Sequence, residues 1–266
     1  MQDPTFFSNP FFTSFEGVHT DVLPVRFTYP FDYIPHPLCI VAAKQLQQHL
    51  TDQTIWQHNF GLVEGEEGNI IGKMFGVLLV ETQEKEIGYL SAFSGKLAGG
   101  NHHVKLVPPV FDLLSEKSFV NAGMEMITRM GEEINILEQE ISDKNVIEIK
   151  HRKAVRKKYS ITLQEKIFDQ YYFLNQAGEE KSLWEVFRNA GKKRPPSGAG
   201  ECAAPKLLQY AFQHKMKPLA IAEFWWGESP KSDFWKHGQY YPSCHEKCQP
   251  ILAHMLEGMH IDVKPT

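Results

Sequence analysis

The spacing of apolar residues changes in one long segment, residues 115–170, and this change divides the chain into two kinds of sequence. Within the segment, apolar residues recur three and four positions apart, as in a short coiled-coil seam: Ile127, Met130, Ile134, Leu137 and Ile141. A helix with one narrow apolar stripe keeps its other faces in water. We therefore expect a helical hairpin, or one long helix, that projects from the rest of the protein as a coiled-coil insertion.

The charge of this segment reverses near its middle. Acidic residues flank the seam: Glu132, Glu133, Glu138 and Glu140. Basic residues follow Asp143: Lys150, His151, Arg152, Lys153, Arg156, Lys157 and Lys158. The simplest interpretation of this basic cluster is a solvated helix face, and the more specific hypothesis is contact with RNA phosphates. On the second hypothesis, the residues that bind RNA are Arg152, Lys153, Arg156 and Lys157. The seam is also a candidate surface for self-association.

The segments on both sides of the insertion indicate an α/β domain. Three of them have the helical spacing of apolar residues: Leu38–Leu50, Ala203–His214 and Cys248–Leu256. Three apolar runs predict strands, the first two joined as a hairpin: Met74–Glu81, Ile87–Ser94 and Leu219–Trp226. We predict three parts: residues 1–114 with an irregular arm, a helix and the hairpin, residues 115–170 with the insertion, and residues 171–266 with the remainder of the α/β domain.

The composition excludes some classes of protein. The chain has 266 residues and a formal net charge of -4, which argues against nucleic-acid binding through bulk charge but allows a local basic patch. No apolar run approaches the roughly 20 residues that span a bilayer, so we expect no membrane association. The first residues have neither a basic region nor a continuous apolar stretch, so they are unlike a signal peptide and we expect a cytoplasmic protein.

Three of the four cysteines lie where predicted helices begin. Cys202 starts one helix, Cys244 and Cys248 lie at or just before the start of another, and a strand separates the two helices. In a compact α/β unit this order brings both helix starts to one edge of the sheet, where three thiolates can bind Zn²⁺. The candidates for a fourth ligand are His245, His237 and His214. The alternative is that Cys202 is a small core residue and the other two cysteines occupy a tight turn.

Two short motifs surround this predicted site. One is Cys202-Ala203-Ala204, and the other runs from Pro242 to Cys248. With the order helix, hairpin, insertion, helix, strand and helix, they resemble the cytidine-deaminase-like fold, whose zinc enzymes carry a His or Cys two residues before Glu, and then Pro-Cys-x-x-Cys. The glutamate is missing here and the second motif is one residue too wide, which weakens the case for deamination. The remaining candidate proton carriers are Glu201 and Glu223.

Long segments of unusual sequence lie outside the insertion: FTYPFDYIPHPLC at 27–39, SGAGECAAPKLLQYAF at 197–212, and EFWWGESP…HGQYYPSCHEKC within 223–248. Shorter ones are Lys73–Leu79, Ala92–Leu97, Val107–Asp112 and Lys181–Phe187. They resemble the region ahead of the synthase domain in long RluA-type pseudouridine synthases. That family isomerises uridine in RNA with an aspartate inside an Arg-Leu-Asp segment, and this sequence contains no such segment.

The resemblance implies a role in RNA modification without synthase activity in this chain. The leading hypothesis is an RNA-binding or targeting module, for ribosomal or transfer RNA, that works with a pseudouridine synthase catalytic domain in the same or a longer chain. Its further RNA contacts are the residues ahead of the Cys202 helix: Lys192, Lys193 and Arg194. The alternatives are a zinc-dependent, deaminase-like hydrolase acting on a nucleobase or nucleotide, and a purely structural interaction domain.

Overall fold

The computed structural model describes residues 9–15, 23–115, 118–139 and 143–264. Contacts within the chain separate two compact units. The first consists of Met1–Val110 and Tyr172–Thr266 and is termed the α/β unit, and the second, Phe111–Tyr171, is termed the helical unit. No helix among the described residues combines the length and the hydropathy that a membrane span requires.

Helices and strands are mixed along the chain, in agreement with the predicted α/β class. Within the described residues, the elements are β1 (Thr13–Ser14), α1 (Pro37–Asp52), β2 (Lys73–Glu81), β3 (Ile87–Phe93), α2 (Phe119–Gln139), α3 (Asp143–Phe168), β4 (Tyr172–Leu174), β5 (Glu180–Ser182), α4 (Leu183–Asn189), α5 (Ala203–Gln213), β6 (Lys217–Trp226), β7 (Tyr240–Tyr241) and α6 (Cys248–Met255). Helices α2 and α3 belong to the helical unit, and the other elements belong to the α/β unit.

The α/β unit is built on an antiparallel sheet with the strand order β1-β3-β2-β6-β7. Strands β2 and β3 form the predicted hairpin, with Leu78 opposite Leu90, and β6 pairs with the other side of β2, with Leu78 opposite Ile221. Most residues of these three strands are buried, which explains why their sequences are continuous apolar runs. Strands β4 and β5 form a separate two-stranded sheet.

Helices cover both faces of the large sheet. On one face, Cys39 and Leu46 of α1 join Phe75 of β2 in the hydrophobic core. Helix α5 lies on the other face and approaches β2 closely because Gly76 has no side chain. A Cβ atom at Gly76 would lie 3.0 Å from the Cβ atom of Ala203. The first turn of α5 is therefore held directly against the centre of the sheet.

The helical unit is a pair of contacting helices, α2 and α3. Gly123 allows them to approach, because a Cβ atom there would meet the side chain of Leu163 at 2.6 Å. Of the predicted seam, Ile134 is buried, whereas Ile141, like the flanking Glu140, lies outside the described residues. The half-buried seam positions are Ile127, Met130 and Leu137.

Two residues of the basic cluster, Arg152 and Lys153, form ion pairs within the helical unit. Arg152 lies 2.6 Å from carboxylate oxygens of both Glu133 and Glu148, and Lys153 lies 2.6 Å from Glu138. Such exposed pairs contribute little to stability. They do determine where these two basic side chains lie, because two of the three partners belong to the facing helix α2.

Replacing Phe119–Lys166 with a flexible Gly/Ser linker is expected to leave the α/β unit folded, because the helical unit is compact by its own contacts. Thermal unfolding of the shortened and complete chains, followed by near- and far-UV circular dichroism, measures this. The shortened chain should keep one cooperative transition. Loss of that transition would show that the segment is part of the main core.

Candidate metal centre

The thiol groups of Cys202, Cys244 and Cys248, termed the thiol cluster, lie within 4.8 Å of one another. Cys202 is the N-cap residue of α5, and Cys248 is the first residue of α6. Cys244 lies one turn earlier, where its carbonyl oxygen accepts a hydrogen bond from the Cys248 N–H at 3.2 Å. The structure thus brings together the three metal ligands that the sequence predicts.

Side chains from the sheet cap the start of α5. The Ser94 hydroxyl, just after β3, accepts a hydrogen bond from the Ala203 N–H at 3.1 Å, and the Glu223 carboxyl group of β6 accepts one from the Ala204 N–H. These bonds satisfy backbone donors that have no partner inside the helix. Cys202 makes no side-chain capping bond, so its thiol is left to the cluster.

Hydrogen bonds within the thiol cluster shift the pKa values of its three thiols in different directions. Hydrogen bonds to Cys202 and Cys248, and then to nearby backbone N–H groups, hold the pKa of Cys244 well below its usual value. The hydrogen bond to Cys244 raises the pKa of Cys202, and hydrogen bonds to Cys202 and then Cys244 raise the pKa of Cys248. A metal bound by all three sulfurs would take them as thiolates, so its binding would release protons from the cluster.

The spacing of the three thiols is compatible with a bound metal ion. Two sulfur ligands at the usual Zn–S distance in a tetrahedral site are separated by about 3.8 Å, and the Sγ atoms of Cys244 and Cys248 are 3.6 Å apart. Cys244 is exposed, Cys202 is half-buried and Cys248 is buried, so solvent reaches the cluster from the Cys244 side. Three sulfur ligands leave a fourth position for water or another donor.

The Glu223 carboxyl group lies beside the thiol cluster and is only 4% exposed. It accepts a hydrogen bond from the Ser243 hydroxyl at 2.6 Å. Burial raises its pKa to about 7, the Ser243 bond opposes this rise, and the negative Cys244 sulfur adds to it. A carboxyl group that titrates near neutrality can both accept and release a proton. Of the two predicted proton carriers, Glu223 therefore has the environment in which a carboxyl group can exchange a proton near neutral pH.

Lys206 lies one helical turn after Cys202 and is only 2% exposed, and no role was predicted for it from the sequence. Its ammonium group donates to the carbonyl oxygens of Phe93 and Gly95 at 3.1 and 3.2 Å and lies 4.8 Å from the Phe93 ring centroid. Desolvation lowers its pKa, and the charges of Glu201 and Cys202 oppose that shift. Glu201, the second predicted proton carrier, thus acts electrostatically on Lys206. The sequence feature that could have identified Lys206 is its position four residues after Cys202, because residues with this spacing are neighbours on one face of a helix.

The three candidate histidine ligands make contacts elsewhere and are not part of the described thiol cluster. His245 stacks on Phe31 with ring centroids 5.2 Å apart. His237 accepts a hydrogen bond from the Gly227 N–H through Nδ1, and His214 stacks on a tyrosine ring. The arrangement therefore leaves the fourth coordination position to water or to a ligand from outside these side chains.

One predicted group of RNA contacts lies next to the thiol cluster along the chain. Lys192 and Lys193 are exposed, and Arg194 is half-buried, on the loop that leads into α5. The Lys247 ammonium group lies 3.4 Å from the position that a Cβ atom at Gly198 would take, which brings this loop to the start of α6. The loop therefore runs beside both helix starts that carry the cysteines.

The other predicted group of RNA contacts lies in the helical unit. Arg152 and Lys153 form the ion pairs already described. Arg156 and Lys157 are exposed and make no ion pair with the described residues. The two groups of basic residues thus belong to different units of the chain.

Protein purified without added metal is expected to contain about one Zn²⁺ per chain by elemental analysis. Cys244→Ser removes a ligand, so it should reduce the zinc content and lower the Tm, because bound metal stabilises the folded state. The matched control is Cys39→Ala, which removes a buried thiol on the opposite face of the sheet and should keep the zinc. A metal-free wild type whose Tm does not respond to chelator would contradict the metal site.

Comparison with protein-family models, with curated proteins and with solved structures finds no match to this chain.

Proposed function

We propose that this chain is a zinc-binding module that recognises RNA and serves a pseudouridine synthase of the RluA type, in the cytoplasm. The observation that carries the proposal is the exposed pair Lys192 and Lys193 on the loop that enters the thiol cluster at Cys202. Bound zinc would hold the starts of α5 and α6 together. The role with a synthase rests on the sequence resemblance, and the synthase catalytic domain would be the partner.

Lys192 and Lys193 suit phosphate contact because they are exposed and form no ion pair with the described residues. They would act as mobile point charges. The N–H groups of Ala203 and Ala204 already bind Ser94 and Glu223, so the first turn of α5 has fewer donors left for a phosphate. The lysine side chains, and not the helix start, would therefore supply most of the phosphate binding.

In the helical unit, phosphate would compete with carboxylates. Arg152 and Lys153 are held by glutamates, so RNA would have to replace those partners before gaining their charge. Lys157 has no such partner among the described residues. We therefore rank Lys157 above Arg152 and Lys153 as a phosphate contact. Self-association through the apolar seam of the helical unit remains a separate proposal.

RNA affinity is expected to fall steeply with salt, with a log–log slope of about 0.9 for each duplex phosphate neutralised. Replacing both Lys192 and Lys193 with Gln should weaken binding and reduce the slope by up to about 2. The matched control is Lys44→Gln with Lys85→Gln, which removes the same charge from α1 and the β2–β3 turn and should leave the slope unchanged. A salt titration by fluorescence anisotropy with a structured RNA measures this. Equal slopes for all three proteins would contradict the RNA-binding proposal.

A zinc-dependent, deaminase-like hydrolase is a second candidate, favoured by the position of Glu223. The order of the hairpin β2–β3, then α5, β6 and α6 resembles that of the cytidine-deaminase-like fold. In those enzymes the proton-carrying glutamate lies two residues after the first ligand, a position that Ala204 occupies here. The Glu223 carboxyl group binds the Ala204 N–H, so a carboxyl group from β6 lies at the helix turn that lacks its own. A bound zinc ion would supply Lewis-acid activation, and Glu223 would move the proton.

On this second candidate, zinc-loaded protein should release ammonia from a cytosine or adenine nucleoside or nucleotide. Glu223→Gln should reduce the rate about 100-fold or more, because the amide cannot accept the proton, while the zinc content stays constant. Glu246→Gln is the matched control, since it removes one exposed carboxylate two residues from Cys244 and should keep the activity. Absence of ammonia release by the zinc-loaded wild type across this panel would exclude the hydrolase.

A further inference from the structure

Four aromatic side chains at the end of β6, in the loop that follows and in β7 form one group, termed the aromatic cluster: Trp225, Phe234, Trp235 and Tyr241. Trp235 stacks on Trp225, with ring centroids 5.0 Å apart and an angle of 20° between the planes. Phe234 meets Trp235 edge-on at 4.8 Å and lies 5.3 Å from Tyr241. The Phe234 side chain is nevertheless 65% exposed. The cluster thus presents one phenyl ring to solvent above a layer of packed rings.

Hydrogen bonds hold the backbone on both sides of this ring. The Tyr241 hydroxyl donates to the Phe234 carbonyl oxygen at 2.8 Å and accepts from the Lys236 N–H at 2.7 Å. The Phe234 N–H donates to the Ser232 hydroxyl at 3.3 Å. An exposed phenyl ring loses the stabilisation that burial would give it. Here that ring is also kept in a defined position, which reduces the entropy lost when a planar ligand stacks on it.

The aromatic cluster and the thiol cluster share one region of the sheet. Tyr241 of β7 pairs with Glu223 of β6, and paired residues on antiparallel strands project to the same face. Trp225 follows Glu223 by two residues and shares that face as well. Cys244 follows Tyr241 by three residues. Both clusters therefore lie on the same side of β6.

Basic and acidic residues alternate around the exposed ring. Lys231 and Lys236 are exposed on the same loop, together with Glu228 and Asp233, so the loop has no net charge. Binding at this loop would therefore depend on ring stacking more than on charge. Every nucleobase offers a planar face for stacking, and exposed aromatic rings recognise unpaired bases in single-stranded RNA in this way.

We propose that the aromatic cluster is a stacking platform for an unpaired base of single-stranded RNA, with Phe234 as the open face and Trp235 as its support. This inference rests on the proposed RNA-binding function and names the site within it. Lys231 and Lys236 are exposed on the same loop and would supply the contacts to phosphates beside the stacked base. The loop with Lys192 and Lys193 then supplies the charge-dependent part of binding, and the platform supplies selectivity for single strands.

The test uses the full chain and a fluorescent single-stranded oligouridine, with affinity measured by anisotropy at several salt concentrations. Phe234→Ala and Phe234→Leu should each weaken binding about tenfold, because neither residue has a planar face. Phe234→Trp should keep or improve the affinity. None of the three should change the salt slope, because no charge is removed. The matched control is Ile55→Ala, another exposed apolar residue, which should bind as the wild type does.

A base-paired RNA of the same length provides a second comparison, because its bases are already stacked. Its affinity should be the same for the wild type and for Phe234→Ala. Wild-type affinity of both Phe234→Ala and Phe234→Leu for oligouridine would overturn the platform while leaving charge-dependent RNA binding intact. If Phe234→Ala changed the sedimentation coefficient of the protein but not its RNA affinity, the platform would also be overturned, and the Phe234 ring would be assigned to a protein–protein contact. Absence of any RNA binding by the wild type would instead overturn the proposed function, and the platform with it.

Discussion

The buried carboxyl group of Glu223 joins the elements that carry the thiol cluster. It belongs to β6, and it accepts hydrogen bonds from Ala204 in the first turn of α5 and from Ser243, directly ahead of Cys244. A buried carboxyl group without such donors would be strongly destabilising. Since one donor follows Cys202 by two residues and the other precedes Cys244, satisfying Glu223 also sets the distance between the two thiols.

Both positively and negatively charged groups lie around this carboxyl group. The buried Lys206 ammonium group binds backbone carbonyl oxygens and faces the charges of Glu201 and Cys202. Hydrogen bonds to Cys202 and Cys248 and to backbone N–H groups lower the pKa of Cys244. A divalent cation bound by the three sulfurs would displace thiol protons and add its own positive charge to this region.

Long elements with strong patterns were predictable, and short ones were not. Residue spacing predicted α1, α5, α6, the β2–β3 hairpin and β6 to within a few residues, because each buries several apolar side chains in a regular repeat. Strands β1 and β7 have two residues each, and β4 and β5 have three, too few to show any period. The segment Gly227–Tyr241 therefore shows no pattern that would indicate β7, and three of the four aromatic cluster residues lie in it. The packing of that cluster on Trp225 of β6 depends on the fold.

Local sequence determined which cysteines are candidate ligands and that they lie at helix starts. A cysteine at the beginning of a segment with the apolar spacing of a helix can be recognised without knowing the fold. Long-range packing alone established which charged groups accompany them. Glu223 becomes a buried partner of α5 because Gly76 lets that helix rest against β2, and Lys206 becomes a buried cation because α5 is covered along nearly its whole length. The ion pairs of Arg152 and Lys153 likewise depend on where α2 packs against α3. Burial and charge pairing are properties of surfaces brought together by folding, and no single segment encodes them.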